Sequence, residues 1–300
     1  MRTIKILSLL LFIGLISCNK EKVVNDNSII TDYPSIKLKG KRPNLNISIL
    51  LDLSDRIDPN LHPNSSMDLY KRDVGYVKSI AQSFEIHIRN KKTIKINDKI
   101  QLFIDPEPEA KELNNKIKKL KIHFNRNNAK RDSILRTSKK YEEITESIYL
   151  AAIKDNSYIG SDIWRFFKNK VNDYCIEEDY RNILIILTDG YLYHKNSKKR
   201  VKNRSTYLTH KYIQNNNISS KNIEKKDFGY ISSINKLNNL EVLVLGINPF
   251  EDDLNEEEVI HKYFEKWFTE MKVKRFKIKN TDLPSNTEKI IKNFIFDEKK

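Results

Sequence analysis

A chain of 300 residues has room for one large domain or two small ones. Its 39% apolar and 10% aromatic content excludes wholesale disorder, and two cysteines, Cys18 and Cys175, exclude a disulfide framework or a cysteine-rich zinc site. The formal net charge of +15 comes with Lys and Asn spread over the whole chain, so the total alone does not single out nucleic acid as a partner.

In chain order, Arg2 and Lys5 precede an almost wholly apolar run from Ile6 to Ile16, followed by Leu15-Ile16-Ser17-Cys18. The run is shorter than the roughly 20 residues of a membrane-spanning helix, and the charged start marks a secretory signal peptide. The Leu-x-Ser-Cys ending resembles the lipobox of bacterial lipoproteins. That resemblance implies cleavage after residue 17, lipidation of Cys18, and a membrane-anchored, extracytoplasmic protein of the cell envelope. The alternative is an uncleaved helix with a chance cysteine. Residues 18–43 are polar, lack long periodicity, and hold Pro34, Gly40 and Pro43, so they are expected to be a tether.

Beyond it the chain alternates apolar runs with helical periodicity. Strands are expected at Asn46–Leu51, Lys99–Ile104, Asn182–Leu187, Glu241–Gly246 and Val273–Ile278. Helices are expected over Asp68–Ile88, Glu109–Ile122, Ala129–Lys154, Ser161–Val171, Ile231–Leu237, Glu256–Met271 and Asn286–Phe294. In the first of these Val77, Ile80, Ala81, Phe84 and Ile88 share one face. In the helix over Glu256–Met271, Ile260, Tyr263, Phe264, Trp267 and Phe268 do so. The runs Ile47–Leu51 and Ile183–Leu187 lack polar alternation, the mark of strands buried on both faces, and Glu241–Gly246 reads as another buried strand. The expectation is an α/β fold: a doubly wound, mostly parallel sheet with helices on both faces, spanning 44–297.

The first and third of these strands each end in an aspartate. Asp52-Leu53-Ser54-Asp55-Arg56 follows the first, and Thr188-Asp189-Gly190 follows the third; between them Gly160-Ser161-Asp162 opens a helix. In an open α/β sheet the carboxyl ends of the strands meet at a ligand crevice. Short oxygen-bearing side chains from three loops suit a hard cation such as Mg²⁺. The set, in this order and these contexts, resembles the von Willebrand factor A-type domain. Its metal-ion-dependent adhesion site uses an Asp-x-Ser-x-Ser motif, a Thr from a second loop and the Asp of a Thr-Asp-Gly segment. The resemblance implies Asp52, Ser54, Ser161 and Asp189 as ligands of Mg²⁺, with Mn²⁺ or Ca²⁺ as substitutes, and a partner carboxylate completing the coordination.

Arg56 stands where the motif has its second Ser, and Ser161 where it has Thr. Either Asp55 or Asp162 supplies the missing oxygen, or no metal binds and Arg56 pairs with the acids. An aspartate after a strand also serves as a plain helix cap or turn residue.

The segment 193–226 reads as a polar insertion. Its stretch from Lys195 to Lys226 holds ten Lys and Arg against one acid, Glu224. It leaves the end of the third strand, so Lys195, Lys198, Lys199, Arg200, Lys202 and Arg204 are expected to rim the crevice, or else to form a solvated loop. A positive rim steers an acidic protein or an anionic glycan; nucleic acid is the weaker candidate for an exported protein. Motifs for zinc proteases, nucleophile elbows, phosphate loops and dinucleotide sites are missing from the sequence. The reading is a binding module, not an enzyme. Its rivals are a metal-free structural module of an envelope assembly and a metal-dependent hydrolase using Asp52, Asp55 and Asp189.

Overall fold

The computed structural model describes residues 42–156, 158–233 and 236–297. The signal segment, Cys18 and all of the tether except residues 42 and 43 lie outside the described residues.

Six strands form the main sheet: β1 Asn44–Leu51, β2 Asn97–Ile104, β3 Ile122–Asn125, β4 Tyr180–Leu187, β5 Leu240–Ile247 and β6 Arg275–Asn280. Their spatial order is β3-β2-β1-β4-β5-β6, parallel throughout except for the antiparallel edge strand β3. The order reverses between β1 and β4, where an open α/β sheet leaves a crevice beyond its carboxyl edge.

Both faces of the sheet are covered, which is why β4 and β5 are apolar without alternation. On one face Ile47, Ile49, Leu51, Ile183, Ile185 and Leu187 pack under helices α1 (Leu69–Arg89), α3 (Thr137–Lys154) and α6 (Pro284–Phe296). On the other, Leu184, Ile186, Val242 and Val244 pack under α4 (Ile163–Asn169) and α5 (Leu254–Glu270). The predicted stripes of α1 and α5 are buried as the 3.6-residue period requires. The doubly wound α/β architecture is thus the one expected. Among the described residues, no helix is long and apolar enough to cross a membrane.

Several elements differ from expectation. The helix expected over Glu109–Ile122 is α2 (Lys111–Lys119); the chain then forms β3, a four-residue strand with Phe124 buried. So short a strand carries no readable period. The helix expected over Ala129–Lys154 is interrupted at Arg136, between a short helix Arg131–Leu135 and α3. Residues 231–233 and 236–237 of the expected helix Ile231–Leu237 are not helical. There Ile231 N donates to Ser205 O at 2.8 Å and Leu237 N to Met271 O at 2.8 Å, so tertiary backbone bonds replace helical ones.

The insertion is ordered rather than a solvated loop. Arg200–Val201 and Arg204–Ser205 pair antiparallel, and the latter pairs with Gly229–Tyr230 in a small sheet. Short helices at His210–Asn215 and Ile223–Lys226 follow the hairpin. Leu208, Tyr212, Ile213, Ile218 and Ile223 join the core over α5. These few apolar residues are scattered among Lys and Asn, so composition hid them.

Candidate functional site

The site forms where β1 and β4 end side by side. Asp52 N donates to Leu187 O at 3.0 Å, continuing the ladder one residue past β1. The Thr188 hydroxyl donates to Asp52 Oδ2 at 3.1 Å. The second loop arrives over both: Leu53 and Gly160 form an isolated bridge, with Gly160 N on Leu53 O at 3.0 Å, and Asp162 N donates to Asp105 O at the end of β2 at 2.7 Å. Gly160 turns there with a φ of +70°, which a side chain disfavours. Ser161 is therefore held between the ends of β1 and β2. The three loops that the sequence pairs only by order meet on one rim.

Several buried oxygens in this cluster are unsatisfied, Asp105 Oδ2 among them. Among the described residues Asp52 Oδ1, Ser54 Oγ and Ser161 Oγ are buried and make no hydrogen bond. Buried polar atoms are nearly always paired, so unpaired oxygens on three of the predicted ligands make these strand ends the candidate place for a bound group. Ser54 Oγ stands near enough to ease the charge on Asp52 without a bond of normal geometry. Asp189 is half-buried; its Oδ1 accepts from Tyr191 N at 2.9 Å and its carbonyl from Asn248 N at 3.0 Å.

Electrostatics agree with crowded acids. Burial pushes the Asp52 carboxyl above its ordinary value, only partly offset by Arg56 and the hydroxyl of Thr188. Burial and then the neighbouring charge of Asp52 push Asp189 up to about 7.

Arg56 does not lie across the socket. Its Nη2 donates to Asp73 Oδ2 of α1 at 2.5 Å, and also reaches Leu187 O at 3.4 Å, while its Nε remains 3.9 Å from Asp52 Oδ2. Tyr149 of α3 donates to the same Asp73 oxygen at 2.9 Å. Burial works against the Arg56 charge, but Asp73 and Asp52 together hold its pKa above the ordinary value.

Neither expected source of a replacement oxygen faces the socket freely. The Asp55 side chain is 63% exposed and lies 4.0 Å from His62 Nε2. Asp162 is engaged elsewhere: Oδ1 caps α4 by accepting from Arg165 N at 3.0 Å, while Oδ2 accepts from the Ser197 hydroxyl and faces His194 Nδ1 at 3.3 Å. Those contacts bring the start of the insertion to the site. Lys195, Lys198, Lys199, Arg200 and Lys202 are exposed beyond it. Lys198 lies over the rings of Tyr193 and Tyr207 at 5.8 and 5.3 Å. Arg204 departs from the expected rim: it pairs with Glu270 of α5 at 2.8 Å and with Asp227 at 2.5 Å, and so ties the insertion down.

Sequence reasoning missed Asp73 and Tyr149. Asp73 had a signal: it continues the α1 stripe of Val77, Ile80 and Phe84 at helical spacing, an acid on a face otherwise apolar. Tyr149 had none, being ordinary on a buried helix face.

Whether the donors suit a cation is decided by their chemistry. All are oxygens, as Mg²⁺ requires. Among the described residues, no three His, Cys, Asp or Glu side chains group as metal ligands, so hydroxyls would have to share the coordination.

No protein-family model and no curated protein matches the chain. Among solved structures it is similar to an aerotolerance-related membrane protein from Bacteroides fragilis carrying multiple mutations to serine, at 13% identity and a TM-score of 0.40, over 84% of this chain and 98% of that one. It is also similar to proximal thread matrix protein 1 of the mussel byssus (13% identity, TM-score 0.35, 85% of this chain and 45% of that one). A third is the pilus adhesin SpaC from Lactobacillus rhamnosus GG (10%, 0.39, 86% and 31%). Likenesses this slight assign no function.

Proposed function

We propose that this chain is a von Willebrand factor A-type binding module on an envelope lipoprotein, and that it takes a protein or anionic partner through a Mg²⁺-dependent adhesion site. The observation that carries the reading is the set of three orphaned oxygens, Asp52 Oδ1, Ser54 Oγ and Ser161 Oγ, at the carboxyl edge of the sheet. Asp52, Ser54, Ser161 and Asp189 would hold the ion, and a bound ion would offer a partner carboxylate a Lewis-acidic position. Asp52, Asp73 and Asp189, when ionised, set three negative charges against the one of Arg56, and the two left over match a divalent cation.

The geometry also suits display. The chain enters β1 at the opposite edge, where His87 Nε2 meets Pro43 O at 3.1 Å and Asp98 accepts from Leu45 N at 2.8 Å. An eight-residue strand is about 26 Å long. The chain thus enters the domain at the edge of the sheet opposite the site.

The test is a calorimetric titration with Mg²⁺, repeated on Asp52→Ala. Heat in the intact protein that vanishes in the variant supports the site. Silence in the intact protein points to the second reading, a metal-free structural module, which is favoured by Arg56 in a hydroxyl position and by its ion pair with Asp73. Turnover of a generic phosphoester would instead revive a hydrolase.

A further inference from the structure

Arg56 has two carboxylates within reach and chooses one. The three side chains concerned are nearly inaccessible: Arg56 is 5% exposed, Asp52 4% and Asp73 2%. In so dry a place a guanidinium must remain paired. It pairs with Asp73 at 2.5 Å, and the Tyr149 hydroxyl, donating to the same oxygen at 2.9 Å, fixes that carboxylate in position. Asp52 stays at 3.9 Å from Nε, beyond hydrogen-bond distance, and Arg56 Nε is left without a partner. A shift of about 1 Å would close that gap.

We infer that Asp73, a residue that would not touch the ion, keeps the cation socket open by holding Arg56 off Asp52. This rests on the adhesion-site reading and extends it to a residue outside the binding loops. The substitution of Arg for a hydroxyl in the first loop is tolerable because α1 supplies an acid to draw it away. Without Asp73, Asp52 becomes the nearest carboxylate to a buried guanidinium. The pair then engages Asp52 through Oδ2 and sets a positive charge on the same carboxylate whose Oδ1 would take the cation, so the two charges oppose each other there.

The experiment measures Mg²⁺ affinity by calorimetry, with the Mg²⁺-induced rise in melting temperature as a second readout. The unaltered chain, Asp73→Asn, Asp73→Glu and the double variant Asp73→Asn/Arg56→Gln are compared. Asp73→Asn is expected to weaken Mg²⁺ binding by about tenfold or more, a coupling typical of side chains in one network. Asp73→Glu retains the charge and is expected to keep most of the affinity. The double variant removes the buried guanidinium together with its partner and is expected to bind at least as tightly as the unaltered chain, so it carries the test even where Asp73→Asn fails to fold. Equal affinity in Asp73→Asn and the unaltered chain, or lost binding in a folded double variant, overturns the role of Asp73 alone. If the unaltered chain shows neither heat nor a thermal shift with Mg²⁺, the adhesion-site reading falls and the inference falls with it.

Discussion

The hydroxyl of Thr188, fully buried at the end of β4, donates to Asp52 Oδ2 at 3.1 Å and so fastens one strand end to the next. It is the one neutral donor that Asp52 receives through its side chain, since Oδ1 has no partner among the described residues. Thr188→Val keeps the shape and removes both this donor and the acceptor that Gly190 N uses at 3.2 Å. The cost is expected to be about 1–3 kcal/mol, because a buried carboxylate loses its hydrogen bond and gains nothing. Urea unfolding measures it; a change within a few tenths would mean that water already serves this oxygen.

Gly190 sets how close the Asp189 loop comes to α5. Its φ is +100°, and an added Cβ would stand 2.5 Å from Ile260 Cγ2 and 2.9 Å from Ile247 Cδ1. Gly190→Ala is therefore strained twice, by backbone and by contact. A loss on the order of 2 kcal/mol or more is expected. Because the strain sits beside Asp189, Mg²⁺ affinity should fall with it; a variant as stable as its parent would show that the α5 contact is soft.

The sheet was legible in the sequence because three of its strands, β1, β4 and β5, are apolar runs that need both faces covered, and β1 and β4 end in aspartates that mark the rim. What was not legible depended on partners distant in sequence. The fate of Arg56 is decided by Asp73 on α1 and Tyr149 on α3, and no spacing rule connects those positions. Arg204 looked like one more cation in a basic run, yet Glu270, 66 residues on, makes it an anchor. β3 is too short to show a period, and the apolar residues of the insertion are too sparse to outweigh its lysines.

Glu85 offers a pH test remote from the site. It lies buried on α1, where its Oε1 accepts from Ser138 N at 2.6 Å at the start of α3. Burial pushes its carboxyl up to about 7, against the hydrogen bonds from Ser138 and the charge of Arg89, from an ordinary value of 4.5. A raised acid binds its proton more tightly when folded. Its contribution is fully present below about pH 4.5 and is lost as pH rises through about 7, amounting to on the order of 3 kcal/mol. Glu85→Gln copies the protonated form and still accepts from Ser138. It is expected to be more stable than its parent at pH 8 and nearly equal at pH 4. Stability curves for the pair that run parallel between those values would contradict the buried charge.

The basic insertion separates two kinds of cation, and substitution should tell them apart. Arg204 binds Glu270 through both terminal nitrogens, at 3.0 and 2.8 Å. Arg204→Ala is expected to cost about 1–3 kcal/mol, since it leaves Glu270 without its forked partner and loosens the insertion from α5. Lys195, Lys198, Lys199 and Lys202 are exposed and have no comparable role in packing. Changing all four to Glu should leave the unfolding midpoint almost unmoved. It should nevertheless abolish binding to an anionic probe such as polyglutamate, which in the parent should weaken steeply with added salt. Ser197 and His194, which neighbour the first of these lysines in sequence, touch Asp162, so the insertion starts beside the strand ends. Polyglutamate binding that survives the four reversals, or that ignores ionic strength, would remove the insertion from the recognition surface and leave the strand ends to act alone.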